Sequence, residues 1–121
     1  MKENLVQQKS YNFALQIIAL YREMVKGNEY VLSKQLLRSG TSVGANVEEA
    51  LAGQSRADFL SKMSIASKEA RETSYWLRLL RDSETIESEK IEHLLAESQS
   101  LINLLTSIVK TTGFSLSKKK Y

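Results

Sequence analysis

Phe59-Leu60-Ser61-Lys62-Met63-Ser64-Ile65-Ala66-Ser67-Lys68-Glu69-Ala70-Arg71-Glu72-Thr73-Ser74-Tyr75-Trp76-Leu77-Arg78-Leu79-Leu80 decides the fold. Within it Phe59, Met63, Ala66, Ala70, Thr73, Leu77 and Leu80 recur at alternating four- and three-residue steps. That rhythm puts them on one face of an α-helix, leaving the charged residues on the other. Ser55, with Asp58 three positions on, reads as the start of this helix, because a serine hydroxyl can accept from a first-turn N–H.

The same spacing extends in both directions. Val6, Ser10, Phe13, Ile17, Leu20 and Met24 form one seam; Leu36, Gly40, Val43, Val47 and Ala50 form another. Ile91, Leu94, Ser98, Leu101, Leu105 and Ile108 form the last. No comparable stretch alternates with the period of two that a strand requires. Gly27, Gly53 and Gly113 are read as helix ends, since glycine tolerates positive φ, and Asp82-Ser83-Glu84-Thr85 as the remaining break. These cuts predict helices over roughly 4–26, 31–52, 56–82 and 86–112, with the second starting anywhere between Glu29 and Ser33. The predicted organisation is one domain, 1–113, and a short basic tail, 114–121. The predicted fold class is all-α: an antiparallel up-down-up-down four-helix bundle, with short connections making sequential helices neighbours.

Composition narrows the chemistry. The 121 residues contain no cysteine, which excludes a disulfide framework, a cysteine zinc site and a thiol nucleophile. The opening Met-Lys-Glu-Asn-Leu-Val-Gln-Gln has no apolar signal core and no apolar run reaches membrane-spanning length, so a cytoplasmic protein without membrane contact is expected. A net charge of +3 permits an anionic partner without demanding one. A di-metal site in a bundle needs two Glu-x-x-His motifs, but the single histidine, His93, follows Lys90 at that spacing. His93 lies among Glu89, Glu92 and Glu97 and reads as a solvated imidazole. Ser39-Gly40-Thr41-Ser42-Val43-Gly44 lacks both the Gly-Lys-Ser ending and the preceding strand of a phosphate loop. Its small residues instead read as room for close packing. No catalytic, metal-ligating or cofactor-binding residue is expected, and the protein is read as non-enzymatic.

Three groups of side chains remain. Arg38, Ser42, Asn46 and Glu49 form a polar stripe on the second helix, and an antiparallel third helix would bring Arg38 level with Glu69 and Glu72, and Glu49 level with Lys62. This is read as an ionic device that fixes helix register, in preference to a catalytic carboxylate pair. Lys68, Arg71, Tyr75 and Arg78, with Arg81 one turn on, interleave cations with an aromatic ring, a pattern suited to phosphates and a stacked base. Lys118, Lys119 and Lys120 join them as candidate nucleic-acid contacts, the alternative being an ordinary solvated face. Leu15, Leu37, Leu60, Trp76 and Leu79 lie outside the seams, and Leu37, Leu60, Trp76 and Leu79 are candidate oligomer contacts unless a broad core absorbs them.

The run Gln35-Leu36-Leu37-Arg38-Ser39-Gly40-Thr41-Ser42-Val43-Gly44-Ala45-Asn46-Val47-Glu48-Glu49-Ala50, followed by Asp58-Phe59, Ile65-Ala66, Lys68-Glu69-Ala70, Glu72 and Tyr75-Trp76-Leu77, carries a resemblance. It is similar to the bacterial four-helix-bundle proteins first noticed in intervening sequences of 23S rRNA genes, and to their relatives, the accessory variability proteins of diversity-generating retroelements. A glycine often follows the motif glutamate; here Ala50 stands there. The resemblance implies an antiparallel bundle, assembly into a ring-like homopentamer, and in some relatives binding of nucleic acid and a protein partner. It supplies no catalytic residues; Arg38, Ser42, Asn46, Glu49 and Glu72 match motif positions with a structural role implied. The resulting expectation is an oligomeric scaffold that binds RNA or DNA without sequence reading, or alternatively a protein-binding or purely structural homo-oligomer.

Overall fold

Each apolar seam becomes a helix: α1 (Lys2–Lys26), α2 (Val31–Leu51), α3 (Arg56–Asp82) and α4 (Ser88–Lys119). The computed structural model describes residues 2–119, the side chains of Lys2, Ser88, Lys118 and Lys119 excepted. All described secondary structure is helical. The seams face inward together, burying Phe13, Ile17 and Met24 of α1, Leu36 and Val43 of α2, Met63, Leu77 and Leu80 of α3, and Ile91, Leu101 and Leu105 of α4. Each such side chain, fully removed from water, contributes about 1.5–3 kcal/mol.

α2 touches α1 and α3, and α4 touches α3 and α1, with no diagonal contact among the described residues. Cross-helix pairs give the level of each helix against the next. Gln7 meets Glu48 and Ile17 meets Gly40; Arg38 meets Glu72 and Lys62 meets Glu49. Arg71 then meets Thr106, Arg81 meets Glu92, and Lys90 meets Glu23. In the first three seams the residue number falls along one helix as it rises along the other. The last seam, between α1 and α4, is the least closely packed.

The helix ends show how local chemistry sets the boundaries. Ser55 accepts from the Asp58 N–H at 3.0 Å, capping α3. α2 begins after Tyr30, which supplies no side-chain cap; the Glu29 carboxylate accepts from the Ser33 N–H at 2.9 Å in its place. Gly27 and Gly53 follow α1 and α2, but no described glycine adopts positive φ. The left-handed positions are Asn28 (φ 66°) after α1 and Glu84 (φ 56°) after α3.

Gly113 does not end the last helix. α4 starts two residues later than the sequence suggests, at Ser88, and runs through Gly113 to Lys119, so a separate tail from 114 is not seen among the described residues. Glycine most readily ends a helix by taking the left-handed conformation, and Gly113 does not take it. The preceding residue, Thr112, is buried and accepts from Arg56 at 3.5 Å, which ties this turn to the start of α3.

Candidate nucleic-acid interface

Four of the cations singled out in the sequence lie along α3. Lys68, Arg71 and Arg78 are exposed, and Tyr75 between them is 47% exposed. The Arg78 guanidinium lies 5.8 Å from the Tyr75 ring centroid, close enough for a cation–π contact. Tyr75 in turn meets Trp76 edge to face at 5.2 Å. Arg71 donates to the Thr106 hydroxyl at 3.0 Å, which orients its guanidinium across the α3–α4 seam without neutralising it. Lys68, Arg71 and Arg78 form no ion pair within 4.0 Å among the described residues, whereas Arg38, Lys62, Arg81 and Lys90 all do.

Arg81 belongs to the paired group. Its guanidinium contacts Asp82 at 2.8 Å and Glu92 at 3.5 Å. The hydrogen bond to Asp82 raises the Arg81 pKa, and the same bond lowers that of Asp82 below the usual carboxylate range. Arg81 is therefore less available to an outside phosphate than its three neighbours. Lys120 lies outside the described residues, as do the side chains of Lys118 and Lys119.

The polar stripe of α2 divides in two. Arg38 reaches Glu69 at 3.4 Å and also pairs with Glu72, while Lys62 contacts Glu49 at 2.9 Å. Ser42 and Asn46 do not cross to α3: Ser42 donates to the Arg38 carbonyl at 2.6 Å and Asn46 to the Ser42 carbonyl at 2.9 Å. The exposed cross-helix pairs are each worth about 0–1 kcal/mol, enough to bias register and too little to carry the fold. Beneath them the Thr73 hydroxyl donates to Ser39 at 2.9 Å in the buried interface. That contact was legible only in part, because Ser39 sits one position from the core seam and its partner depends on the level of α3 against α2.

Residues 2–107 match the profile of the family described as 23S rRNA-intervening sequence protein. The chain belongs to that family. The solved structure of a protein with unknown function from the S23 ribosomal protein family, from Bacteroides thetaiotaomicron VPI-5482, is similar to it, with 51% sequence identity and a TM-score of 0.88. The similarity covers 91% of this chain and 99% of that one. No curated relative matches the sequence.

The apolar residues outside the seams differ in environment. Trp76 is half-buried against the core, and its indole N–H donates to Glu72 at 3.2 Å. Leu37 and Leu60 are half-buried, while Leu79 is 36% and Leu15 is 51% exposed. Tyr11 and Ile65, not among the oligomer contacts expected from sequence, are also exposed. His93 is exposed beside Glu87, Glu89 and Lys90. Among the described residues no group of three or more histidine, aspartate or glutamate side chains could hold a metal ion, and no helix is long and apolar enough to cross a membrane.

Proposed function

We propose that this protein is a non-enzymatic cytoplasmic scaffold: an antiparallel up-down-up-down four-helix bundle that assembles with copies of itself and binds RNA or DNA through the outer face of α3. The ring-like pentamer follows from the family resemblance. The observation that carries the nucleic-acid reading is the contrast among the cations. Lys68, Arg71 and Arg78 share one face with Tyr75 and form no ion pair within 4.0 Å among the described residues, while Arg38, Lys62, Arg81 and Lys90 are held by Glu or Asp. Unpaired cations can displace the counterions of a phosphate backbone, and Tyr75 offers a ring on which an unpaired base can stack. Recognition of this kind reads the backbone with little sequence preference.

The test is binding of a labelled single-stranded RNA and its DNA counterpart across a series of salt concentrations. Affinity should fall steeply with salt, and Lys68→Glu, Arg71→Glu and Arg78→Glu should each flatten the log–log slope by about one unit. Lys34→Glu, on the exposed side of α2, should leave binding unchanged. Negligible affinity at low salt, or identical binding by the α3 variants, overturns the reading. Exposed Tyr11, Leu15, Ile65 and Leu79 support the second reading, a homo-oligomer or protein-binding module without nucleic acid. That reading gains if the assembled protein carries no nucleic acid and the α3 charge reversals change nothing.

A further inference from the structure

The seam between α1 and α4, the least closely packed in the bundle, opens into a groove of about 660 Å³. That volume falls within the roughly 300–1,000 Å³ typical of pockets for small molecules. Nine residues line it, against roughly 20–30 on each side of a stable protein–protein interface. The floor is apolar: Leu20 of α1 and Leu94 of α4, both almost wholly buried, with the exposed Ala19 methyl group beside them. Along α1 the open stretch runs from Gln16 to Glu23, a rise of about 10 Å.

Carboxylates gather at one end of this floor. Glu23 pairs with Lys90 there, and Glu87 and Glu89 line the same end from the start of α4. Both are exposed and form no ion pair within 4.0 Å among the described residues. With Lys90 offset by Glu23, two uncompensated negative charges remain beside the apolar surface. One amine already registers this field. The Lys90 pKa is raised, first by the hydrogen bond to Glu23, which outweighs the opposing desolvation, and then by the charges of Glu23 and Glu87. This end of the groove therefore favours a protonated amine over a neutral one.

We infer that the α1–α4 groove is a binding site for a small primary amine with an apolar body. Its ammonium group meets Glu87 and Glu89, and its hydrocarbon part lies on Ala19, Leu20 and Leu94. The floor supplies affinity through apolar area removed from water. The carboxylates supply the choice of charge: they attract an ammonium, repel a carboxylate or phosphate, and leave a neutral molecule of the same shape with the apolar contact alone. This inference is independent of nucleic-acid binding and of self-assembly.

The experiment is a ligand-observed NMR titration of the full chain with hexylamine, hexanol and hexanoate. It is run at low salt and about pH 8, where an alkylamine is protonated and a free imidazole is not. Hexylamine should bind saturably and several-fold more tightly than hexanol, and hexanoate should not bind. Glu87→Gln combined with Glu89→Gln should bring hexylamine down to the affinity of hexanol and leave hexanol unchanged. Added salt should narrow the same difference in the parent, because both carboxylates are exposed. Ala19→Leu, which fills the groove, should abolish binding of both while keeping the parental helical circular dichroism. If that variant does not fold, the paired glutamine changes still decide. Hexylamine that fails to bind, that binds no better than hexanol, or whose advantage survives loss of both carboxylates overturns the inference. So does unaltered binding by folded Ala19→Leu, which would place the amine elsewhere on the surface.

Discussion

The two seams of α1 pack by opposite rules. Toward α2, Ile17 sits directly over Gly40, where an added Cβ would stand 2.8 Å from each Cγ atom of the isoleucine. Gly44 faces the backbone of Ser10 in the same seam, with room for a Cβ at 3.4 Å. Toward α4, the same helix presents Gln16, Ala19 and Glu23 opposite Glu87, Glu89, Lys90 and His93, and the space between them stays open. Small residues on α2 let two backbones close; long, hydrated side chains at the start of α4 hold the surfaces apart. Glycine costs a helix interior about 1 kcal/mol relative to alanine, so Gly40 is retained where close approach returns more than that in packing.

Adding one methyl group at the tight seam is the most damaging way to break this contrast. Gly40→Ala should destabilise the protein by about 1–3 kcal/mol, because the atoms it meets belong to the stem of a β-branched side chain and cannot swing away. Denaturant titration reads the loss, and Ile17→Ala added to Gly40→Ala should cost less than the two single changes summed, since they share one volume. An additive double mutant would show that Gly40 is not held by Ile17.

A smaller effect is expected one seam further, between α2 and α3. Thr73 donates to Ser39 at 2.9 Å and lies 2.7 Å from the Glu69 carbonyl. Thr73→Val keeps the shape, removes the hydroxyl and should cost about 1–2 kcal/mol by the same titration. Ser39 retains only a long contact, 3.4 Å, to the Leu36 carbonyl. Smallest of all should be a gain of bulk at the open seam. Ala19→Leu adds three carbons where there is space and should shift stability by no more than about 0.5 kcal/mol. A loss as large as that of Gly40→Ala would mean that the α1–α4 groove is closed in solution.

Helix identity was legible because burial imposes a period on the sequence. Phe59, Met63, Ala66, Ala70, Thr73, Leu77 and Leu80 are all buried, as their spacing requires. The cross-helix level of Arg38 with Glu69 and Glu72, and of Glu49 with Lys62, could be counted outward from a short connection. What was misjudged at the ends has a common cause: glycine permits a left-handed residue but does not impose one. Asn28 and Glu84 take that conformation, and α4 passes straight through Gly113. The candidate site was less legible than the fold. Arg81 and Arg78 look equivalent along α3, yet only their level against α4 reveals that Glu92 reaches Arg81.

The sequence by itself determined that four amphipathic helices form and which face of each is buried, because hydrophobic burial acts through local spacing. It also determined that no cysteine chemistry is available to the chain. Only the tertiary structure decided which cations are neutralised, which seam closes over glycine and which opens into a groove. Those outcomes depend on the levels at which helices distant in sequence meet, where a shift of one turn exchanges every partner across the seam.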